Sequence, residues 1–130
     1  MKEKEGFRLI LLLLCIVITC LNCKKEITIN EVRQTCIQSL SLEGVDTSRT
    51  IIYIEPDHPI TMDSVTIYKN RISWLDLEVW VKQTRPYLKN NLFWKCTGIT
   101  PNEMDGVYEV YIDSKSGKVL YIYPLWNNRR

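Results

Sequence analysis

The chain has 130 residues, and its 17 Lys and Arg against 15 Asp and Glu give a formal net charge of +2. Hydrophobic residues make up 45% of the chain and charged residues 25%, which is typical of a globular domain and argues against a disordered one. A nucleic-acid partner is not expected from this charge balance, because phosphate binding needs a basic surplus.

The first 25 residues form a leader. Lys2, Lys4 and Arg8 precede thirteen uncharged residues, from Leu9 to Leu21. At ~1.5 Å per residue, that helix would be roughly 20 Å long, which is short of a ~30 Å bilayer core. A basic start followed by a short apolar run is typical of a secretory signal peptide. An uncleaved N-terminal anchor is the alternative.

The apolar run ends at Cys23, which is followed by Lys24, Lys25 and Glu26. This leader resembles a bacterial lipoprotein signal, in which the peptidase cuts before a cysteine that carries diacylglycerol. The resemblance implies a signal peptide over residues 1–22, a lipid on Cys23 and a lipidated tether over residues 23–29. Cys20 is the alternative lipidation site. The protein is then expected in the cell envelope, held on a bacterial membrane by its N-terminal lipid.

Two cysteines remain after the leader, Cys36 and Cys96. In an oxidising compartment, two such cysteines often form a disulfide, and a loop of this length would contribute roughly 4 kcal/mol in the chain-entropy model. Two buried free thiols are the alternative. No Cys-x-x-Cys pair or Cys/His cluster is present, so neither a metal nor another cofactor is expected.

One helix is predicted near the start of the domain. Val32, Cys36 and Leu40 recur every four residues and define one apolar face, from about Glu31 to Leu40. Asn30 is a suitable N-cap, and a glycine at position 44 lies where a helix would stop.

The middle of the chain is predicted to form strands. Thr50–Ile54 is β-branched and aromatic, and Ser64–Tyr68 alternates apolar and polar residues. The segment from residue 72 to residue 89 is compatible with either structure. We favour a strand over Ile72–Lys82 and a short helix running through Pro86 to Asn91, because Pro86 would interrupt a longer helix.

The last third of the chain predicts three more strands, over Phe93–Gly98, Val107–Asp113 and Lys118–Tyr123. The turn at residues 114–117 contains Gly117, which can adopt a positive φ. The expected fold is a single α+β domain over residues 30–130. It has an antiparallel sheet of about five or six strands and one or two short helices packed on one face.

The closing hairpin, Tyr108 to Leu120, has the sequence YEVYIDSKSGKVL. It resembles the closing hairpin of PepSY-type domains in its aromatic and acidic strand, its Asp-Ser-Lys-Ser-Gly turn and its Lys-Val-Leu return. These domains are small exported or membrane-attached modules of helix and antiparallel strands. The resemblance implies an inhibitor of a secreted hydrolase or protease as an alternative function.

Catalytic residues are not predicted. His58 is the only histidine and follows Asp57 in a loop flanked by prolines, with no nucleophile motif in the chain. Asp76 and Glu78 would share a face of a strand and could form a carboxylate pair, but a solvated strand face is the simpler interpretation. An enzyme with an unrecognised site ranks third among the functions we consider.

Aromatic residues give the strongest functional indication. In the predicted hairpin, Tyr111, Tyr121 and Tyr123 share one face, and Trp126 follows. Tyrosine and tryptophan give large contact areas at low entropic cost, so this face could bind another protein. Ordinary packing across the sheet is the alternative. The sequence therefore predicts a lipid-anchored, non-catalytic protein-binding module of the cell envelope.

Overall fold

The computed structural model describes residues 8–14, 26–69, 75–102 and 106–125. Residues 8–14 are helical, and the described part of the domain starts at residue 26. Both predicted lipidation sites, Cys23 and Cys20, lie outside the described residues. No helix in the described ranges combines the length and the apolar character needed to cross a bilayer.

The domain contains three helices and four strands in its described part. The helices are α1 (Ile29–Leu42), α2 (Met62–Lys69) and α3 (Leu77–Leu88). The strands are β1 (Ile51–Ile54), β2 (Phe93–Ile99), β3 (Val107–Asp113) and β4 (Val119–Pro124). All neighbouring strands pair antiparallel in the order β1-β2-β3-β4. The α+β class is confirmed, but the described sheet has four strands and not five or six.

Helices cover both faces of this sheet, so the prediction that they pack on one face is wrong. Successive residues of a strand point to opposite faces, and β2 and β3 therefore contribute to two separate cores. The core under α1 contains Val32, Cys36, Leu40, Trp94, Cys96, Val110 and Ile112. The core under α2 and α3 contains Ile60, Val65, Trp80, Leu88, Phe93, Tyr111 and Tyr123.

Helix α1 forms as its spacing predicts, because Val32, Cys36 and Leu40 are all fully buried. Its N-cap is Thr28 and not Asn30, since the Thr28 hydroxyl accepts a hydrogen bond from Glu31 N at 3.3 Å. The helix ends before Gly44, whose φ of 86° suits a residue without Cβ.

The predicted strand over Ser64–Tyr68 is wrong, because these residues belong to α2. Its alternation covered only five residues, which is too short to separate a strand from a helix turn. In the helix, Val65 is buried at 1% exposure, whereas Ile67 is 63% exposed. The Thr66 hydroxyl donates to Met62 O at 2.8 Å, as it does within helices.

The prediction of a strand over Ile72–Lys82 is also wrong for its described part, where α3 begins at Leu77. Asp76 is the N-cap and accepts a hydrogen bond from Val79 N at 3.2 Å. Trp80, Thr84 and Leu88 are buried at a spacing of four, which is the helical pattern that overrides the alternation. Pro86 lies inside the last turn of this helix and does not end it.

The closing hairpin is confirmed, with one irregularity. Asp113 accepts hydrogen bonds from Ser116 N and Ser116 Oγ at 2.8 and 2.7 Å, and Gly117 has a φ of 72°. The register shifts between Tyr111 and Ile112, so that Ile112 pairs with Val119. This β-bulge moves Leu120 to the core under α3, whereas regular alternation places it on the opposite face.

Gly98 is required where α1 crosses the sheet. A Cβ at this position would lie 2.6 Å from Leu40 Cδ1 and 3.3 Å from Thr50 Cγ2. We expect Gly98→Ala to lower the free energy of unfolding by about 1–3 kcal/mol, because the fully buried Leu40 must move. Leu40→Ala should then lower the free energy of unfolding by less in the Gly98→Ala background than in the wild type, as measured by urea denaturation. If the two losses are additive, Leu40 is not the side chain that the new Cβ displaces.

Candidate functional site

The predicted tyrosine face exists but is largely covered. Tyr111 pairs with Tyr121, and Glu109 pairs with Tyr123, so the three tyrosines share one face of the sheet. Helices α2 and α3 pack on this face, and Tyr111 and Tyr123 are 0% and 1% exposed. The predicted role of these two side chains in an exposed binding surface is therefore not compatible with their burial. They are part of the core.

Tyr121 is the remaining partly exposed member. It stacks on Tyr87 of α3, with ring centroids 4.8 Å apart and an interplanar angle of 23°. Tyr87 is 50% exposed. This pair joins α3 to β4 and leaves one aromatic surface at the seam. Trp126, the fourth predicted binding residue, lies outside the described residues.

The same sheet face is open near β1, which is an edge strand. Ile51 and Tyr53 point to this face and are 47% and 44% exposed. Their partners on β2, Ile99 and Thr97, are half-buried. We call these four residues the β1 surface. Sequence reasoning identified the strand but missed this surface, because the strand order and the position of the helices are not encoded locally.

The outer edge of β1 has no neighbouring strand in the described sheet. One carbonyl of the strand, Ile52 O, accepts a hydrogen bond from Arg33 Nη1 at 3.2 Å. A short edge strand partly covered by a charged side chain is a common way to limit uncontrolled pairing.

A buried polar network lies beneath α2 and α3. Lys69 Nζ and Glu109 Oε1 are 2.5 Å apart, and the two side chains are 3% and 2% exposed. The Tyr111 hydroxyl donates to the same carboxylate oxygen at 3.0 Å, and Lys95 Nζ lies 3.7 Å from Glu109 Oε2. The Trp80 ring packs 5.7 Å from Lys69 Nζ. The sequence carries no local signal for this network, because Lys69 and Glu109 are forty residues apart.

Burial sets the protonation behaviour of this network. It lowers the pKa of Lys69, although Glu109 acts in the opposite direction. It also raises the pKa of Tyr111 well above its ordinary value, and Glu109 adds to that shift. Tyr111 therefore stays a neutral hydrogen-bond donor. Lys69 and Glu109 are 3% and 2% exposed, so the network is part of the core beneath α2 and α3.

Cys36 and Cys96 meet between α1 and β2. Both are buried, free thiols in the structure. A hydrogen bond with Cys36 and burial raise the pKa of Cys96 far above that of an exposed thiol. Such a thiol is a poor nucleophile because little thiolate is present. The structure brings the predicted pair together, and the disulfide stays a prediction.

The other residues considered for catalysis are separated. His58 Nδ1 lies 3.4 Å from Asp57 Oδ1, in an exposed loop. Asp76 is committed to its N-cap hydrogen bond, so it does not form a pair of free carboxylates with Glu78. Among the described residues, no three His, Cys, Asp or Glu side chains are grouped to hold a metal ion.

Two open grooves run along α3, with volumes of ≈ 630 and ≈ 720 Å³. The first lies towards α2 and the second along the outer side of α3, where Glu78 contributes to its lining. Both grooves share Val81, Arg85, Lys89 and Asn90. Two basic side chains therefore dominate the wall between them.

The leader segment over residues 8–14 is exposed along its described length. Its six Leu and Ile side chains, from Leu9 to Leu14, are 55–67% exposed.

Comparisons with known proteins give no relative. No family model matches the chain, and the searches of curated proteins and of solved structures also found no significant match. The PepSY resemblance of the hairpin therefore gains no support from them.

Proposed function

We propose that this protein is a lipid-anchored module of the cell envelope that binds another protein through the β1 surface. The observation that carries the proposal is the exposure of Ile51 and Tyr53 on an edge strand, beside a sheet face that the helices leave open. The module needs no catalytic group for this role. In this proposal, the anchor is a lipid on Cys23, with Cys20 as the alternative site.

Two features support the anchor. The leader has the basic start, the short apolar run and the cysteine of a lipoprotein signal, and its side chains at 9–14 are exposed. Acyl chains contribute ~0.8 kcal/mol per buried CH₂, so several chains hold a protein on a bilayer for long periods. A bacterial envelope is also the compartment in which Cys36 and Cys96 would form their disulfide.

The partner in this proposal supplies an extended segment. It pairs with the outer edge of β1 and places apolar side chains at alternate positions against Ile51 and Tyr53. Alternate positions are required because residues two apart on a strand point to the same face. Ile99 and Thr97 lie beside Ile51 and Tyr53 on β2 and continue the same sheet face away from the paired edge.

The anchor is tested by the intact mass of the protein from a membrane fraction. We expect a chain that begins at Cys23 and carries the mass of acyl groups, and we expect Cys23→Ala to lack that mass. A decrease of about two daltons without reductant would report the Cys36–Cys96 bond, since each disulfide removes two hydrogens. An unmodified chain that keeps residues 1–22 would disprove the lipidated anchor.

The binding surface is tested by a photo-crosslinking side chain at position 53 in cells. We expect one discrete crosslinked product from position 53 and none from position 83, an exposed site on α3. Ile51→Lys should abolish the product, because it puts a charge on the contact without removing a core residue. Equal products from positions 53 and 83, or a product that Ile51→Lys leaves unchanged, would contradict the proposal.

A further inference from the structure

The hydrogen bonds at the start of β2 show which way its backbone groups point. Phe93 N donates to Ile60 O at 2.9 Å, and Ile60 N donates to Phe93 O at 2.8 Å. Because β3 pairs with the other side of β2, this exchange occurs on the side where β1 lies. The bonding direction alternates along an antiparallel strand, so Thr97 and Ile99 also bond towards β1.

The outward backbone groups of β1 follow from this pattern. The residues of β1 that pair with Thr97 and Ile99 bond within the sheet, and the residues that alternate with them do not. Ile52 and Ile54 therefore direct their N–H and C=O groups to the outer edge. An extended segment that adds to β1 has to pair with these groups. Arg33 Nη1, which lies 3.2 Å from Ile52 O, already occupies one of them.

In an antiparallel partner, the residue opposite Ile52 has its side chain beside Arg33. Residues that lie opposite each other on neighbouring strands direct their side chains to the same face of the sheet. Ile52 packs against the core under α1, so this is the face on which α1 and Arg33 lie. The two flanking residues of the partner point to the other face, where Ile51 and Tyr53 are exposed.

Arg33 has no acidic partner in the described part of the chain. Its side chain is exposed, and the ion pairs of the described residues do not include it. Glu31, the acidic residue nearest to it in the sequence, accepts a hydrogen bond from Thr28 Oγ1 at 3.3 Å. Positions two apart in a helix do not face each other, so Glu31 is not placed to pair with Arg33. The guanidinium is therefore available to a carboxylate from a partner.

A second copy of β1 does not supply that carboxylate. The side chains of β1 on the face of α1 are those of Ile52 and Ile54, which pack on the core under α1. Antiparallel pairing of two β1 edges would therefore place an isoleucine, and not an acidic residue, opposite Ile52. The segment that fits this edge belongs to a different protein.

We propose that the β1 edge selects an extended segment in which an acidic residue stands between two apolar residues. This inference rests on the β1 surface proposed above and specifies the chemistry of its partner. The acidic side chain opposite Ile52 binds the guanidinium of Arg33 and leaves Ile52 O to accept the N–H of the partner. The two apolar side chains pack on Ile51 and Tyr53. Without a carboxylate in the segment, Arg33 stays on Ile52 O and covers the edge.

The test compares two dye-labelled peptides, one of four Glu-Val repeats and one of four Lys-Val repeats. Their binding to the full chain in micelles of an uncharged detergent is measured by fluorescence anisotropy. We expect the Glu-Val peptide to bind the wild type more tightly. Arg33→Glu should reverse this preference and shift the ratio of the two dissociation constants by about tenfold, because it exchanges attraction and repulsion at an exposed ion pair. Glutamate is a good helix former, so this variant keeps α1.

The matched control is Lys118→Glu, which makes the same charge change directly before β4, at the other edge of the sheet. It should shift the ratio by less than about twofold. An unchanged ratio in Arg33→Glu, or an equal shift in Lys118→Glu, would overturn the acidic preference alone.

A second variant reports on the β1 surface itself. Tyr53→Ser removes an apolar contact without changing the charge, so it should weaken the binding of both peptides. If neither peptide binds, or if Tyr53→Ser leaves both affinities unchanged, the inference is overturned together with the β1 surface. The crosslink from position 53 in cells tests that surface independently of Arg33.

Discussion

Glu109→Gln is expected to lower the free energy of unfolding by about 3–5 kcal/mol, the usual cost of removing one partner from a buried ion pair. The substitution keeps the shape of the side chain but leaves the ammonium group of Lys69 buried at 3% exposure. This loss is a large part of the 5–15 kcal/mol that stabilises an ordinary domain. Urea denaturation monitored by circular dichroism measures it.

Substitution of the other member of the ion pair, Lys69, provides the control. Lys69→Met should cost less than Glu109→Gln, because Glu109 keeps Lys95 at 3.7 Å and the Tyr111 hydroxyl at 3.0 Å. The double variant should be more stable than Glu109→Gln alone, since it no longer buries an unpaired charge. Equal losses of unfolding free energy in the two single variants would contradict this prediction. They would show that leaving Lys69 without Glu109 costs no more than leaving Glu109 without Lys69.

The stability of the Glu109→Gln variant should depend on pH in a defined direction. Burial lowers the pKa of Lys69 from its ordinary value of 10.5, so Lys69 takes up a proton on unfolding between the two values. The unfolded state then binds more protons, and stability rises with pH towards 10.5. Without Glu109, the pKa of Lys69 should fall further because the lysine has lost the carboxylate that favours its charged form. The rise should then begin at a lower pH and be larger in total than in the wild type, as urea denaturation at a series of pH values would measure.

Trp80→Ala is expected to cost about 3–5 kcal/mol, the range for truncating a fully buried large aromatic side chain. Trp80 is 0% exposed, and its ring lies 6.4 Å from that of Tyr111. The cavity would also remove the aromatic surface beside Lys69, 5.7 Å from its Nζ. Thermal and urea denaturation measure the loss.

Two further variants separate packing from helix propensity. Trp80→Phe keeps an aromatic ring in the cavity and should cost less than Trp80→Ala. Val79→Ala, at the neighbouring and 39% exposed position of α3, should change stability by no more than about 0.5 kcal/mol. A similar loss in Val79→Ala would mean that the helix, and not the Trp80 contact, responds to substitution.

The sequence predicts elements well where the signal is local. The β3–β4 hairpin is confirmed because its alternation and the φ of 72° at Gly117 both act within a few residues. Helix α1 is confirmed because its spacing of four has no competing pattern. In the segments that form α2 and α3, short apolar runs matched both the two-residue period of a strand and the period of a helix. Contacts of Val65 and Trp80 with distant strands determined that these segments are helical.

The candidate sites depend on packing that no short segment encodes. The sequence correctly places Tyr111, Tyr121 and Tyr123 on one face, but the helices that bury this face come from residues 62–88. Likewise, Lys69 and Glu109 look like surface charges until the fold brings them together. The open half of the face, at Ile51 and Tyr53, is visible only when the strand order is known.

The position of β1 in the sheet also has a consequence for folding. Strands β2, β3 and β4 follow one another along the chain, whereas Ile51 must find Ile99 across the two intervening helices. Closing that long loop costs more chain entropy than forming a hairpin, and only four residues repay it. We expect β1 to join the sheet last and to open first, so its amides should exchange with solvent fastest among the strands. A strand that opens easily can be captured by a partner without unfolding the rest of the domain.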